Sequence, residues 1–407
     1  MPISNTDSVR ERILEDEEKE ANRQGGRPTF PVEVKGATRH LSIFKVAIHV
    51  PKYRLENGRT IRGLQEFVHQ NADAEKALGD GGSAEAQEII EKVLLSMIEK
   101  ENLYQNLADE GQRDPLILTK QGYVLNGNRR LAAMRKLSRD PKFSKRFQNV
   151  DVVLLPQLDE QELSTIEMRL QMSIEGKAPY NWLDELLVIQ KNIKHLKMDF
   201  ERVRSAMRTT MPALNKKLLI YELVGEYLRF TNREDQYFSV EGDKQAFQTL
   251  ADGIKRYESR LDLQRLLKEQ AFNIILKKPK TKSVHLQITD VINVIPRLNQ
   301  PKTVGSSNNT NARKDDPLAG LVTSNAKPLS PMSEVEFRER QKEVARHQQE
   351  HELNRSYNEQ LKRAEDSLSI LNMIDEDLAR AKREKISEVL QQIEATAKKI
   401  RQIILND

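Results

Sequence analysis

The sequence predicts an N-terminal domain of the α/β (α+β) class, then an all-α domain, then a C-terminal coiled coil or helical hairpin. Three observations predict this order. Short apolar runs near residues 44–50, 116–118, 123–125 and 150–155 are bounded by glycine and proline, as strands are. From Glu160 onward apolar residues recur at three- and four-residue spacing, as on one face of a helix. From Glu334 the chain has neither glycine nor proline and repeats that spacing over several turns.

Residues 1–40 read as a charged N-terminal arm, whose first part is a helix ending at Gly25-Gly26-Arg27-Pro28. The α/β domain occupies residues 41–160. Strand character begins at Phe44, and Asn57-Gly58, flanked by Arg54 and Arg59, is a tight-turn pair. A helical insertion at 84–110 follows the break Gly79-Asp80-Gly81-Gly82, with Ile89, Val93, Leu94 and Met97 on one face. Over residues 113–146 ten basic residues face two acids, a local charge of +8 hidden in a net charge of +5. Such a block suits nucleotide phosphate and nucleic-acid backbone alike.

Within that block, Tyr123, Val124 and Leu125 read as a strand entering a helix marked by Leu131, Ala132, Ala133, Met134 and Leu137. The connection is Gly127-Asn128-Arg129-Arg130. Glycine permits close backbone approach, the free amides of a helix start attract anions, and two guanidinium forks add charge and donors matched to phosphate. The alternative is a glycine turn followed by a solvated basic helix.

These elements resemble the ParB/sulfiredoxin-like superfamily, whose members share a Gly-x-(Arg/His)-Arg turn between strand and helix. Residues 44–54 are similar to its opening strand, 114–130 to its hairpin and basic turn, and 150–156 to the following strand; the resemblance covers about residues 40–230. It implies a nucleoside triphosphate, CTP or ATP, held by Arg54, Gly127, Asn128, Arg129 and Arg130, with Mg reached through Glu175. The chain departs from the pattern in two places. The partitioning members read Gly-Glu-Arg-Arg where this chain has Asn128, and residues 170–182 do not reproduce their Glu-Asn-x-Gln-Arg segment. CTPase-like hydrolysis is therefore left open. Sulfiredoxin chemistry is excluded by the absence of cysteine, and a nuclease or small-molecule kinase ranks lower because no carboxylate pair is visible near the turn.

Residues 161–297 form the helical domain. The helix starting at Trp182 is expected to anchor on the sheet through that indole, and His195 has no second imidazole or cysteine at ligand spacing. Residues 199–230 resemble the helix-turn-helix that follows the nucleotide domain in ParB-like proteins. Val203, Ala206, Met207, Leu214 and Leu218 would form its core, with Arg208, Asn215, Lys216 and Lys217 as DNA contacts; an ordinary helical hairpin is the alternative. Arg208 stands where the turn would usually carry glycine. A short strand and helix are expected over residues 284–296, and residues 298–332 read as a flexible linker.

Residues 333–407 carry two apolar seams, Leu361, Ala364, Leu368 and Leu371, then Ile386, Leu390, Ile393, Ala397, Ile400 and Ile404, out of phase around residues 379–385. A narrow apolar seam needs a partner helix. Homo-oligomerisation is the first expectation, with a heterologous partner or the same chain as alternatives. With 407 residues, 38% hydrophobic and 31% charged, the chain is long enough for two or three domains. No apolar run reaches membrane-spanning length and no secretion signal opens the chain, so a cytoplasmic, possibly nucleoid-associated protein with DNA as partner is expected. The competing reading is an assembly or adaptor protein that keeps the fold as scaffold.

Overall fold

A computed structural model describes residues 5–26, 28–58, 60–71, 73–98, 102–172, 181–280, 282–298, 328–373, 380 and 382–405. These fall into two compact units. The first runs to Ile292 and takes in residues 328–332; the second takes in residues 293–298 and the chain from Ser333 onward.

The first unit opens with α1 (Asn5–Gln24) and a hairpin of β1 (Thr29–Val34) and β2 (Ala37–Ser42). Lys35 and Gly36 form its turn at φ 50° and 77°, the left-handed pair that matches strand twist in two-residue hairpins. This corrects the expectation of a charged arm over residues 1–40. Leu14 and Ala21, two turns apart on α1, are buried in the main cluster beside the sheet, and Val32 and Val34 are buried against its other face. A helix needs only a narrow apolar edge to dock, so a highly charged composition did not reveal it.

The central sheet has five strands, β3 (Phe44–Ala47), β4 (Lys52–Tyr53), β5 (Leu116–Leu118), β6 (Tyr123–Asn126) and β7 (Asn149–Leu154), in the order β3-β7-β5-β6-β4. Pairs β3–β7 and β5–β6 are antiparallel; β5–β7 and β4–β6 are parallel. The single strand expected over residues 44–54 is instead two short strands on opposite edges, separated by a turn in which the Val50 amide donates to the Ala47 carbonyl at 2.9 Å. Strand alternation sorts side chains between the two faces. Leu116, Leu118, Val124, Val152 and Leu154 join one cluster, Ile117, Leu125, Val153 and Leu155 the other.

Between β4 and β5 lie α2 (Ile61–Gln70), α3 (Ala74–Leu78), α4 (Ala84–Ile98) and α5 (Leu103–Glu110). The first face is covered by α4, α5 and α6 (Asn128–Ser138), the second by the β1–β2 hairpin and α7 (Glu160–Met172). Gln87 on α4 meets the outer edge of β4. Its Oε1 accepts from the Tyr53 amide (2.8 Å), and its Nε2 donates to the carbonyls of Tyr53 (2.9 Å) and Gly81 (2.7 Å). One turn further, buried Glu91 accepts from Tyr53 Oη (2.9 Å) and Arg139 Nη2 (2.7 Å).

The rest of the unit is helical: α8 (Trp182–Gln190), a π-helical turn (Lys191–His195), α9 (Phe200–Ala206), α10 (Met211–Phe230), a 3-10 turn (Tyr237–Asp243), α11 (Lys244–Arg256), α12 (Leu261–Lys277) and α13 (Val284–Leu298). Trp182 does not anchor on the sheet. Its indole N–H donates to the Glu241 carbonyl at 2.9 Å and its ring lies 6.3 Å from that of Phe247, so it ties α8 to the helices that follow. No strand forms within residues 284–296 either. Ile288, Val291 and Ile292 are buried on one helical face, where packing overrides the strand preference of β-branched residues.

In the second unit α14 (Glu334–Asn372) begins with a reciprocal cap: the Ser333 amide donates to Glu336 Oε2 (2.9 Å) and the Glu336 amide to Ser333 Oγ (3.3 Å). A further helix, α15, spans Arg383–Leu405. Leu353, Tyr357, Leu361 and Leu368 on α14, and Leu390, Ile393 and Ile400 on α15, are exposed. Most of the 298–332 linker lies outside the described residues, as do residues 379 and 381 of the seam break near residues 379–385. No helix among the described residues is long and apolar enough to cross a membrane.

Candidate functional site

The change from strand to helix occurs at Gly127, which caps α6 at φ 106° and ψ 15°. A Cβ there would lie 2.6 Å from Leu116 Cδ2 and 3.2 Å from Arg130 Nη2. The missing side chain thus makes room for protein atoms behind the turn. No side chain caps the helix and its first turn has no acid. The partial positive charge of that helix end is left for something else to meet.

Asn126 and Asn128 flank the glycine, and both are buried. Asn128 Nδ2 donates to the Val124 carbonyl (2.8 Å), while its Oδ1 accepts from the Arg54 amide (3.3 Å). The Asn128 amide is therefore a staple between the end of β4 and the basic turn. Arg130 folds back across the turn: Nη1 donates to the Asp114 carbonyl (2.6 Å), Nη2 to Asn126 Oδ1 (3.2 Å), and the Asp114 carboxylate is 3.7 Å away. Burial holds the Arg130 guanidinium below its ordinary value; Asp114 opposes this and Arg129 adds to it. Arginine remains protonated nonetheless. Arg129 sits half-buried at the same helix start.

Arg54 is 3% exposed and lies among three carboxylates. Nη1 donates to Glu167 Oε2 (3.3 Å), Nη2 donates to Glu160, and Nε stands 3.8 Å from Glu56. Glu167 also accepts from the Gly58 amide through Oε1 at 2.8 Å. Nearby Lys191 donates to the Glu56 carbonyl (3.1 Å). Its ammonium is pushed down by burial first, with Glu167 opposing and Arg54 adding to the shift. The sequence showed no carboxylate pair near the turn; the fold brings these three. The available signal was on α7, where Glu160 and Glu167 stand two turns apart among apolar positions. Asp114 and Asn126, which hold Arg130, were missed as well.

Glu175, expected to reach a metal, lies outside the described residues, as does Arg59. Among the described residues no group of three or more His, Cys, Asp or Glu side chains is arranged to hold a metal ion. The four residues expected to contact DNA are in two situations. Arg208 and Asn215 are exposed, whereas Lys216 pairs with Asp252 (2.6 Å) and Lys217 with Glu185 (2.5 Å). Arg208 occupies the α9–α10 turn at φ 48°, a glycine-like conformation held by an arginine. Thr210 caps α10 through a bond from the Ala213 amide (3.3 Å).

Neither family models nor curated proteins give a match to this chain. Among solved structures, it is similar to the C-terminally truncated chromosome-partitioning protein ParB from Caulobacter crescentus complexed with CTP-gamma-S, at 10% identity and a TM-score of 0.18, over 52% of this chain and 92% of that one. The fold itself is mixed α/β with a helical C-terminal part.

Proposed function

We propose that this chain is a ParB-like, nucleotide-binding, DNA-associated protein of the cytoplasm, in which a nucleoside triphosphate, CTP or ATP, docks at the start of α6. The observation that carries the proposal is the uncapped, acid-free N-terminus of α6 with Arg129 and Arg130 in its first turn and the Arg54 main chain stapled to it through Asn128. Backbone amides and the helix dipole offer an anion site there, and the Arg130 guanidinium would join them by leaving Asp114 and Asn126. Mg would accompany the triphosphate, with Glu175 as its candidate ligand. Arg208 and Asn215 are the residues offered to DNA; Lys216 and Lys217 would join by exchanging their carboxylates for phosphate. The test is thermal unfolding with each of the four ribonucleoside triphosphates, with and without magnesium and duplex DNA. Ligand at a hundred times its Kd adds about 2.7 kcal/mol of stability. One triphosphate should raise the midpoint, and the Arg129→Ala/Arg130→Ala double variant should lose that shift. A panel with no shift, or an undiminished shift in the variant, overturns the proposal.

A second reading, self-assembly through residues 333–407, is supported by the exposed Leu353, Tyr357, Leu361 and Leu368 and by Leu390, Ile393 and Ile400. Light scattering should give an oligomer for the full chain and a monomer for Leu361→Lys/Leu368→Lys/Ile393→Lys. An unchanged mass in the triple variant removes this reading.

A further inference from the structure

We infer that Glu160 is the exchangeable partner of Arg54, a carboxylate that holds the guanidinium and yields it when a polyanion arrives. The inference rests on the nucleotide reading above. It adds the residue that sets the site's affinity and links ligand entry to the first turn of α7.

The three carboxylates around Arg54 are not equivalent. Glu167 is buried and both its oxygens are committed, one to Arg54 Nη1 and one to the Gly58 amide. Its side chain is 5% exposed, against 56% for Glu160 and 48% for Glu56. Glu167 therefore fixes the guanidinium from the protein side, and Glu160 and Glu56 close it at the solvent boundary. Glu160 makes its one described hydrogen bond to Arg54. An ion pair that open to water contributes little, whereas a guanidinium fork on phosphate oxygens is among the stronger charge-assisted contacts. The exchange thus favours the incoming ligand.

The local charge balance points the same way. Among the described residues, Glu56, Glu160 and Glu167 converge on Arg54 with the Lys191 ammonium nearby, and these five groups together carry one negative charge in excess. The Arg54 amide is anchored on Asn128 at the start of α6, so that excess stands beside the place proposed for a polyanion. Glu160 is also the first residue of α7. Once displaced by phosphate, its charge is repelled, and the strain falls on the helix that carries Glu167 and leads into residues 173–180.

The experiment is calorimetric titration of the full chain with the four ribonucleoside triphosphates and with inorganic tripolyphosphate, comparing wild type with Glu160→Gln. Removing the competing charge should tighten binding by about five- to tenfold, while Glu167→Gln, which frees Arg54 from its fixed partner, should weaken it. Hydrogen exchange supplies a second readout: ligand should loosen the first turn of α7 in wild type and leave it unchanged in Glu160→Gln. Glu160→Ala provides an independent variant if the glutamine form does not fold. Equal or weaker binding by both Glu160 variants, with wild type binding normally, overturns the exchange and leaves the nucleotide reading standing. No binding of any probe by wild type or variant removes the reading and the inference together.

Discussion

Replacing Gly127 by alanine tests whether the basic turn is built as described. Two separate costs are expected. At φ 106° an L-residue carries a backbone penalty of about 1–2 kcal/mol. The new Cβ also meets Leu116 Cδ2 at 2.6 Å, and Leu116 is fully buried on the middle of the sheet, where overpacking costs about 1–3 kcal/mol. The total is about 2–5 kcal/mol. Less the roughly 0.4–1 kcal/mol by which alanine restricts the unfolded chain, and with a urea slope of about 2 kcal/mol per M, the unfolding midpoint followed by circular dichroism should fall by about 0.5–2.3 M. Gly36→Ala is the matched control. Its φ is 77° with nothing within 4 Å of the added Cβ, so it bears the backbone penalty alone, with the same offset from the unfolded chain as Gly127→Ala. The difference between the variants isolates the contact with Leu116. Equal losses in the two would refute the packing argument, and with it the assignment of Gly127 to protein packing.

Other expectations follow from single contacts. Arg208→Gly should stabilise the chain by about 0.5–1 kcal/mol, because it relieves a left-handed non-glycine at φ 48°; a lowered thermal midpoint would contradict this. Gly253→Ala should cost about 1–3 kcal/mol in chemical denaturation, since its Cβ would lie 2.7 Å from Ile292 and 2.8 Å from Leu267. Burial holds the Lys191 ammonium below the ordinary lysine value of 10.5. The unfolded chain therefore holds that proton more tightly between the two values, and wild-type stability should rise with pH relative to Lys191→Met as pH climbs through the folded value toward 10.5. A difference curve that is flat or falls would show that burial does not depress this ammonium.

The strand–turn–helix at residues 123–137 was legible because side-chain periodicity changes from two to the helical repeat at a single glycine. The five-strand sheet was less so. Residues 44–54 read as one strand, and only pairing with β7 on one edge and β6 on the other shows that they are two. The hairpin β1–β2 turns on Lys35-Gly36, a weaker signal than Asn-Gly, and was absorbed into the supposed arm. Arg54 was singled out in the sequence, but its partners Glu160 and Glu167 lie 106 and 113 residues further on. Sequence spacing carries no information about a pairing made only when α7 crosses the end of β4. The ion pairs of the α10 lysines were missed for the same reason: Asp252 and Glu185 sit on helices whose approach the local pattern does not encode.

Gln87 gives the insertion between the outer strands a role beyond filling space. By offering an acceptor and a donor to the two backbone groups of Tyr53, its carboxamide imitates a neighbouring chain and terminates the ladder with one side chain. A foreign peptide could add to that flank only after α4 had lifted away. Shortening the insertion would thus trade a sealed border for an adhesive one, and the expected symptom is precipitation at concentrations where the intact chain stays dispersed.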